Sequence, residues 1–366
     1  MMKINILQVM PEFGLAGAEI MCENLCYQLH NSGKYNVVVA SLFDYHSPIT
    51  DRLEAIGIKI LYLGKKGGLD LSLIFKLYSI MREYNVDVVH THRYVMQYAI
   101  PAAVMAGVKC RVHTVHNIAQ KEVGKYRRKL ARFFFKRCNV IPVSISPLIQ
   151  KTVIEEYNLS AEHSPVVYNG SELSRCLIKT DYSTNSRFGV LHIGRFNPQK
   201  NHSVIIEAAK ELKQEGFNVE FLLIGGAGDQ VRWQHVVKEN GLEEVVRFGG
   251  LQSNVYPFLR DADCFILPSL YEGMPVTLVE AMGCGLPIIA SAVGGVPDMI
   301  ENEKSGLLIC PTSGDLVEAI KRLMNDEILR EAIGKNALVR SKQFSAEQMY
   351  EGYNNIYING CNNNSN

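Results

Sequence analysis

The 366 residues hold no apolar run near the roughly 20 needed to cross a bilayer as a helix, so a protein that is soluble or rests on a membrane surface is expected. The first residues, MMKINILQVM, pass straight into a strand pattern without the apolar core and cleavage site of a signal peptide. Nine cysteines are scattered with no C-x-x-C pair and no Cys/His cluster at zinc spacing, which speaks for a reducing, cytoplasmic setting and against a zinc module. Cys22 and Cys26, four apart on an expected helix, read as packing residues. An excess of one charge is also missing. Lys and Arg number 38 against 37 Asp and Glu, net +1, so nothing global asks for nucleic acid or an acidic partner, and any charged partner must be met by a local patch.

What is present is a repeated order of strand, loop and helix over a length that suits two domains, each with its own core. The clearest unit spans 263–285. A short apolar strand ends near Pro268, Gly273 and Pro275 punctuate the chain, and an apolar run of helical spacing follows. In an open α/β sheet ligands collect beyond the carboxyl ends of the strands, where the next helix points free N–H groups and a partial positive charge. An anion is the natural guest there. Glu272 falls in the loop and Glu280, eight residues on, about two turns into the helix, where carboxylates can accept hydrogen bonds from sugar hydroxyls.

The N-terminal half has the same grammar. A strand over 3–9 is followed by Gly14 and Gly17 and a helix from about residue 18, whose N-terminus favours a phosphate; the spacing does not meet G-x-G-x-x-G, and a plain tight turn stays open. Strands are expected over 36–42, 58–63, 86–90, 111–115 and 139–143, helices over 71–84 and 147–157, and a last strand and turn over 165–170. Such alternation argues for right-handed crossovers and a parallel sheet. His90 and His92 fall at one strand end, His113 and His116 at the next. No carboxylate shares their spacing, so one histidine lining a cleft is preferred to a metal site, with His90 and His113 turned inward.

Residues 120–137 are the most basic part of the chain: Lys121, Lys125, Arg127, Arg128, Lys129, Arg132, Lys136 and Arg137 are opposed only by Glu122 and interleaved with Tyr126, Leu130, Phe133, Phe134 and Phe135. On a helix this puts an apolar stripe into the core beside exposed cations; contact with anionic lipid headgroups and an ordinary crossover helix both stay open. The polar, poorly periodic stretch 171–186 reads as a linker between a first domain over 1–170 and a second over 187–343. In the second, Arg195 and Lys200 follow a strand over 190–193, where a forked guanidinium and a point charge would neutralise a diphosphate. Gly225, Gly226 and Gly228 follow a strand over 219–224 and would let backbone approach a flat base, whose edge Leu251 and Gln252 are candidates to contact. A strand over 287–290, a glycine turn over 294–297 and helices over 313–324 and 327–343 complete this series. The last helix, 345–358, carries Met349, Tyr350, Tyr353 and Tyr357 to dock on the first domain, and the tail 359–366 reads as frayed.

Glu272, Gly273, Pro275, Glu280, Ala281 and Gly285 together resemble the Glu-x7-Glu motif of the retaining glycosyltransferases of family 4. The other parts occur in that family's order: the glycine loop, the strand-end histidine in His-Thr-Val-His-Asn, a Gly-Arg and a Lys-Asn element. The resemblance implies an α/β protein of GT-B fold, two Rossmann-like parallel-sheet domains facing across a cleft, with the last helix crossing back onto the first. It implies catalytic roles for His116, close to the transferred sugar, and Glu272, on the donor sugar's hydroxyls. Donor binding falls to Gly14, Gly17, Arg195, Lys200, Leu251, Gln252, Gly273, Met274, Pro275, Val276 and Glu280, the last on the ribose. His92, Arg93 and Asn117 stand on the acceptor side. No metal or other cofactor is expected; the nucleotide sugar, taken as a UDP-sugar, is a co-substrate, and the acceptor is a saccharide, expected to be lipid-linked. The run Tyr-Glu-Gly-Met-Pro looks closer to enzymes of capsular and other exported polysaccharides than to members with Gly-Phe-Gly after the Glu. A nucleotide-sugar epimerase of the same fold and a non-catalytic partner subunit are the alternatives, and a cytoplasmic protein at the inner membrane face is expected.

Overall fold

The computed structural model describes residues 3–184, 187–226 and 228–362. The chain forms two compact units, Met1–Gly170 with Ala346–Asn366, and Ser171–Ser345. In the first, six parallel strands, β1 (Ile4–Met10), β2 (Tyr35–Ser41), β3 (Lys59–Tyr62), β4 (Val88–His92), β5 (Cys110–Val115) and β6 (Val140–Ser144), lie in the order β3-β2-β1-β4-β5-β6. These strands read as apolar runs because helices cover both faces of the sheet. Gln8 breaks that rule in β1 and is nevertheless fully buried. On one face Met10, Met21, Leu25, Val39 and Val112 pack with Met349, Tyr353 and Tyr357; on the other Leu7, Val9, Leu77, Val89 and Tyr98 form a second core. A helix over Pro48–Ala55, too short for periodicity to reveal, starts on a capping box between Ser47 and Thr50 with Pro48 in its first turn.

Four expectations change. β4 starts at Val88 rather than at 86, because the Val86 N–H closes the preceding helix on Met81 O, and it runs on to His92. The stretch 165–170 is not a strand but a single parallel bridge of Val166 to Ser144: Pro165 has no N–H to donate, and Val167 turns into the core beside Met349. The basic segment is broken into Ala119–Glu122 and Lys125–Arg137 at Val123 and Gly124. Its apolar side chains also divide: Ala131, Phe134 and Phe135 are buried, while Tyr126 is 87 % exposed and Phe133 54 %, with Leu130 between them. The stripe expected to be core is therefore partly on the surface. Finally, the last helix, Ala346–Asn362, includes 359–362, since Gly360 lies so close to Cys110 that a Cβ would stand 2.4 Å from its Sγ. Residues 363–366 of the expected tail lie outside the described residues.

The second unit repeats the design. Strands β7 (Phe188–Ile193), β8 (Val219–Ile224), β9 (Val246–Gly250), β10 (Cys264–Leu267), β11 (Ile288–Ser291) and β12 (Leu307–Ile309) are parallel in the order β12-β11-β10-β7-β8-β9. Counted from β7, this is the same doubly wound order as the first sheet, with the strand order reversing between β7 and β10 as it does between β1 and β4. The segment read as a linker is strapped to this unit: Lys179 N donates to Cys284 O, Tyr182 Oη to Gly285 O at 2.7 Å, and Arg330 holds the Tyr182 carbonyl at 2.9 Å. Residues 185 and 186 lie outside the described residues. The glycine turn over 294–297 leads into a short helix, Val296–Met299.

Candidate functional site

The residues singled out by sequence lie, in each unit, beyond the carboxyl ends of the strands, most of them at or beside the reversal of strand order. In the first unit His92 closes β4 and His116 follows β5 by one residue. His92 Nδ1 lies 3.1 Å from His116 Nε2, and His92 Nε2 lies 3.0 Å from Gln8 Oε1. His90 bonds Tyr357 Oη at 2.6 Å and Thr114 Oγ1 at 2.7 Å, and His113 bonds Thr91 Oγ1 at 2.9 Å. These rings are thus engaged with protein neighbours, and no group of three or more His, Cys, Asp or Glu among the described residues is arranged to hold a metal ion. Burial holds His116 down at about 3 and His113 at about 4, and puts His92 and His90 well below their ordinary range, so all four are neutral at pH 7.

Arg93 adopts a left-handed backbone conformation, φ 56°, and donates to Glu19 Oε1 at 2.5 Å. An arginine held in this sparsely populated region, with its guanidinium fixed on a buried carboxylate, is a strained and over-determined feature. Its charge helps keep His116 neutral and also lowers Glu122, which accepts from the backbone N–H groups of His116 and Asn117; burial dominates at Glu122 and pushes its carboxyl up to about 7. The Asn117 side chain accepts from Ile118 N at 2.8 Å, capping the turn. Gly14 and Gly17 have no steric reason to be glycine: neither has a positive φ and a Cβ on either would meet nothing within 4 Å. Gly17 opens the helix Gly17–Asn31, whose first turn has no side-chain cap, so its N–H groups are free for an anion.

In the second unit Lys200 and Glu272 meet directly. Lys200 Nζ donates to Glu272 Oε1 at 2.7 Å, and Gln199 Nε2 donates to Oε2 at 3.3 Å. Sequence reading placed the cation on a phosphate and the carboxylate on a sugar; the fold makes them a mostly buried pair. Asn201, in a left-handed turn at φ 56°, fixes their spacing by donating to Pro268 O at 3.1 Å across the ends of β7 and β10. Gly294 is needed behind Glu272, because a Cβ there would fall 1.7 Å from the Glu272 carbonyl at a φ of +58°. Gly225 plays the same part behind Arg195, where a Cβ would meet Gly194 O at 1.9 Å. The Arg195 side chain is exposed and has no hydrogen-bond or ion-pair partner among the described residues.

Met274 and Pro275 are buried and Gly273 partly so, and they lead into the helix Val276–Gly283, which has no side-chain cap. Glu280 lies on its buried face and accepts from Tyr256 Oη at 3.3 Å. Leu251 is exposed beside Gly226, while Gln252 donates its amide to Gly249 O at 2.6 Å and so braces the loop that carries Leu251.

Sequence reading missed Gln8, Glu19, Gln199 and Tyr256 and gave Glu122 no role. Gln8 had a legible signal, a lone amide in an apolar strand, and Glu122 had another, a lone acid in a basic run. Glu19, Gln199 and Tyr256 had none, because their partners are distant in sequence.

Residues 15–175 match the family model described as Glycosyltransferase Family 4, and residues 182–340 the model described as Glycosyl transferases group 1. Over 281 residues the chain is 28% identical to the UDP-Gal:alpha-D-GlcNAc-diphosphoundecaprenol alpha-1,3-galactosyltransferase of Escherichia coli, covering 71% of this chain and 72% of that one. It is 30% identical over 288 residues to the uncharacterized glycosyltransferase MJ1178 of Methanocaldococcus jannaschii, covering 76% and 77%. Among solved structures, Anabaena Alr3699/HepE in complex with UDP and glucose superposes with a TM-score of 0.84 at 21% identity over 96% of this chain and 98% of that one, a likeness of fold. With the two models matched over 15–175 and 182–340, a relative 30% identical over 76% of the chain, and both sheets in the doubly wound order, the chain belongs to the family 4 glycosyltransferases, of GT-B fold.

Proposed function

We propose that the protein is a retaining, metal-independent transferase that moves a sugar from a UDP-sugar to a lipid-linked saccharide at a membrane surface, in the assembly of a cell-surface polysaccharide. The observation that carries the reading is the second unit's constellation: Glu272 and Glu280 bracket the uncapped start of Val276–Gly283, with Lys200 on Glu272 and Arg195, which has no partner among the described residues, after the neighbouring strand. Two carboxylates suit the hydroxyls of a sugar and a ribose; Arg195 and the free N–H groups suit a diphosphate. The positive charge these groups bring to the leaving group makes a divalent cation unnecessary in this reading. The acceptor hydroxyl attacks the anomeric carbon on the face from which the diphosphate departs, the bond from that carbon to the phosphate oxygen breaks, and the hydroxyl proton passes to that oxygen. His116, neutral beside the reacting centre, stabilises the positive charge that develops on the sugar. The E. coli and Anabaena proteins, whose names carry a UDP-sugar donor, a diphosphoundecaprenol acceptor and bound UDP, support uridine and a lipid carrier.

The test is calorimetry with uridine, guanosine and adenosine diphosphates and their sugars in the presence of a chelator. UDP should bind, and Glu280→Ala should weaken it by about 2 kcal/mol, some thirtyfold, the loss of charge-assisted hydrogen bonds to the ribose. Silence across the panel overturns the donor site, and conversion of a UDP-sugar into its epimer without any acceptor would replace transfer by epimerisation.

Membrane contact is assigned to the helix Lys125–Arg137. Tyr126, Leu130 and Phe133, at i, i+4 and i+7, form an exposed apolar line, and Lys125, Lys129, Lys136 and Arg137 beside it have no partner among the described residues. Anionic phosphatidylglycerol vesicles should sediment the protein at low salt, and Lys129→Glu with Arg137→Glu should weaken this at least about tenfold, given about 1 kcal/mol per cation. Equal binding to neutral vesicles, or none at low salt, counts against the assignment.

A further inference from the structure

Behind His116 lies a chain of hydrogen bonds that the reaction scheme above does not use. Gln8 sits at its centre. Its Oε1 lies 3.0 Å from His92 Nε2, and its Nε2 lies 3.5 Å from Tyr357 Oη. Outward from Gln8 Oε1, His92 Nδ1 lies 3.1 Å from His116 Nε2. Outward from Gln8 Nε2, Tyr357 Oη meets His90 Nδ1, His90 Nε2 meets Thr114 Oγ1, and Thr114 Oγ1 meets Tyr353 Oη, at 2.6, 2.7 and 2.6 Å. Gln8, His90, His92, Thr114, Tyr353 and Tyr357 are all buried, so water does not compete for these bonds. The rings also lie close, each pair tilted by 33°: His90 and His92 are 4.3 Å apart and His92 and His116 5.3 Å between centroids.

A neutral imidazole has one donor and one acceptor nitrogen, and the bond made by one fixes the role of the other. An amide oxygen only accepts. Gln8 Oε1 therefore requires the His92 proton on Nε2, which leaves His92 Nδ1 as an acceptor. His116 must then donate from Nε2, and its Nδ1, which has no hydrogen-bond partner among the described residues, carries the lone pair. On the other branch the Gln8 amide nitrogen only donates, so Tyr357 Oη accepts from it and gives its own proton to His90 Nδ1. Turning the one amide over would reverse every donor in the chain.

We propose that Gln8 and His92 are positioning residues that set the tautomer of His116, keeping its proton on Nε2 and presenting Nδ1 as a neutral lone pair to the reacting sugar, with Tyr357 of the last helix locking the amide. This rests on the reading that His116 stands beside the transferred sugar. It gives that helix a chemical part as well as a packing one. A lone pair can accept from a sugar hydroxyl or face an oxocarbenium-like carbon; an N–H aimed at the same place would repel the developing charge.

Long-range 15N–1H correlation on histidine-labelled protein reads the tautomer directly, and UDP release from UDP-glucose, UDP-galactose and UDP-N-acetylglucosamine reads the chemistry. The native protein should show His116 protonated on Nε2. Gln8→Leu removes the acceptor, and Tyr357→Phe, which keeps the packing, frees the amide to turn; both should give His116 as a mixture of tautomers. UDP release should fall about tenfold or more, with the donor KM little changed, as when a partner that orients a site histidine is removed. A changed tautomer with unchanged UDP release upholds the positioning and overturns the catalytic reading of His116. His116 protonated on Nδ1 in the native protein, or unaltered in both folded variants, overturns the positioning itself.

Discussion

Lys200→Ala should destabilise the second unit by about 3 kcal/mol, whereas Lys200→Met combined with Glu272→Gln should restore most of the loss. The side chains of Lys200 and Glu272 are only 14% and 6% exposed and meet at 2.7 Å, so removing the ammonium leaves a carboxylate in a poorly solvated place. Gln199 still donates to the other oxygen, which keeps the expected loss at the lower end of what a broken buried pair causes. In the double variant no uncompensated charge remains. Trp233, the only tryptophan of the chain, packs against this unit's core, so its fluorescence in urea reports the unit concerned. Equal midpoints for the single and double variants would show that the pair does not act through burial of charge. The same experiment bears on the proposed function, in which Glu272, already oriented by two donors, accepts sugar hydroxyls without reorganising.

Acidification from pH 7 to 5 should destabilise the first unit by several kcal/mol, before any carboxylate but that of Glu122 titrates in quantity. Burial lowers His113 to about 4 and His116 to about 3, from an ordinary value near 6.5, and pushes His90 and His92 in the same direction. A group depressed in the folded state contributes fully above its unfolded value and loses that contribution as the pH falls toward its folded value. The window therefore opens near pH 6.5 and runs to about 3, and at pH 5 each such histidine forfeits about 2 kcal/mol. Glu122 acts the other way. Raised to about 7, it favours the fold when protonated, and its ionisation weakens the unit as the pH rises through that value. One carboxyl does not outweigh four histidines. Among the described histidines of the second unit, His192 and His202 alone are lowered by burial, so hydrogen exchange should find the first unit opening earlier on acidification. Flat first-unit protection between pH 7 and 5 would mean that these rings are solvated.

The alternation of short apolar runs with helical patterns foretold the two parallel sheets, because a strand covered on both faces must be apolar throughout and a crossover must be long. Gly194-Arg195, Lys200-Asn201 and the stretch from Glu272 to Glu280 were legible for the same reason: each stands where a strand stops, and strand ends are marked locally by glycine, proline and a change of polarity. Elements with weak local marking were misread. The bridge at Val166 passed for a strand because Pro165-Val-Val has strand composition, yet no local pattern tells whether its N–H groups find a partner. The basic helix presented one apolar stripe to sequence reading and two faces in the structure. Periodicity shows that Tyr126, Leu130 and Phe133 share a side; it does not show which side the sheet covers.

By itself, the sequence determined the kind of protein this is: two doubly wound units and a set of strand-end residues in the order of the family 4 glycosyltransferases. Only the tertiary structure decided which of those residues touch. Lys200 and Glu272 are 72 positions apart, Tyr256 and Glu280 24, and Gln8 and Tyr357 349. Hydrogen bonds and ion pairs act over about 3 Å. Chemistry encoded along the chain becomes a site only when strands far apart in sequence end side by side, and that registry is a property of packing.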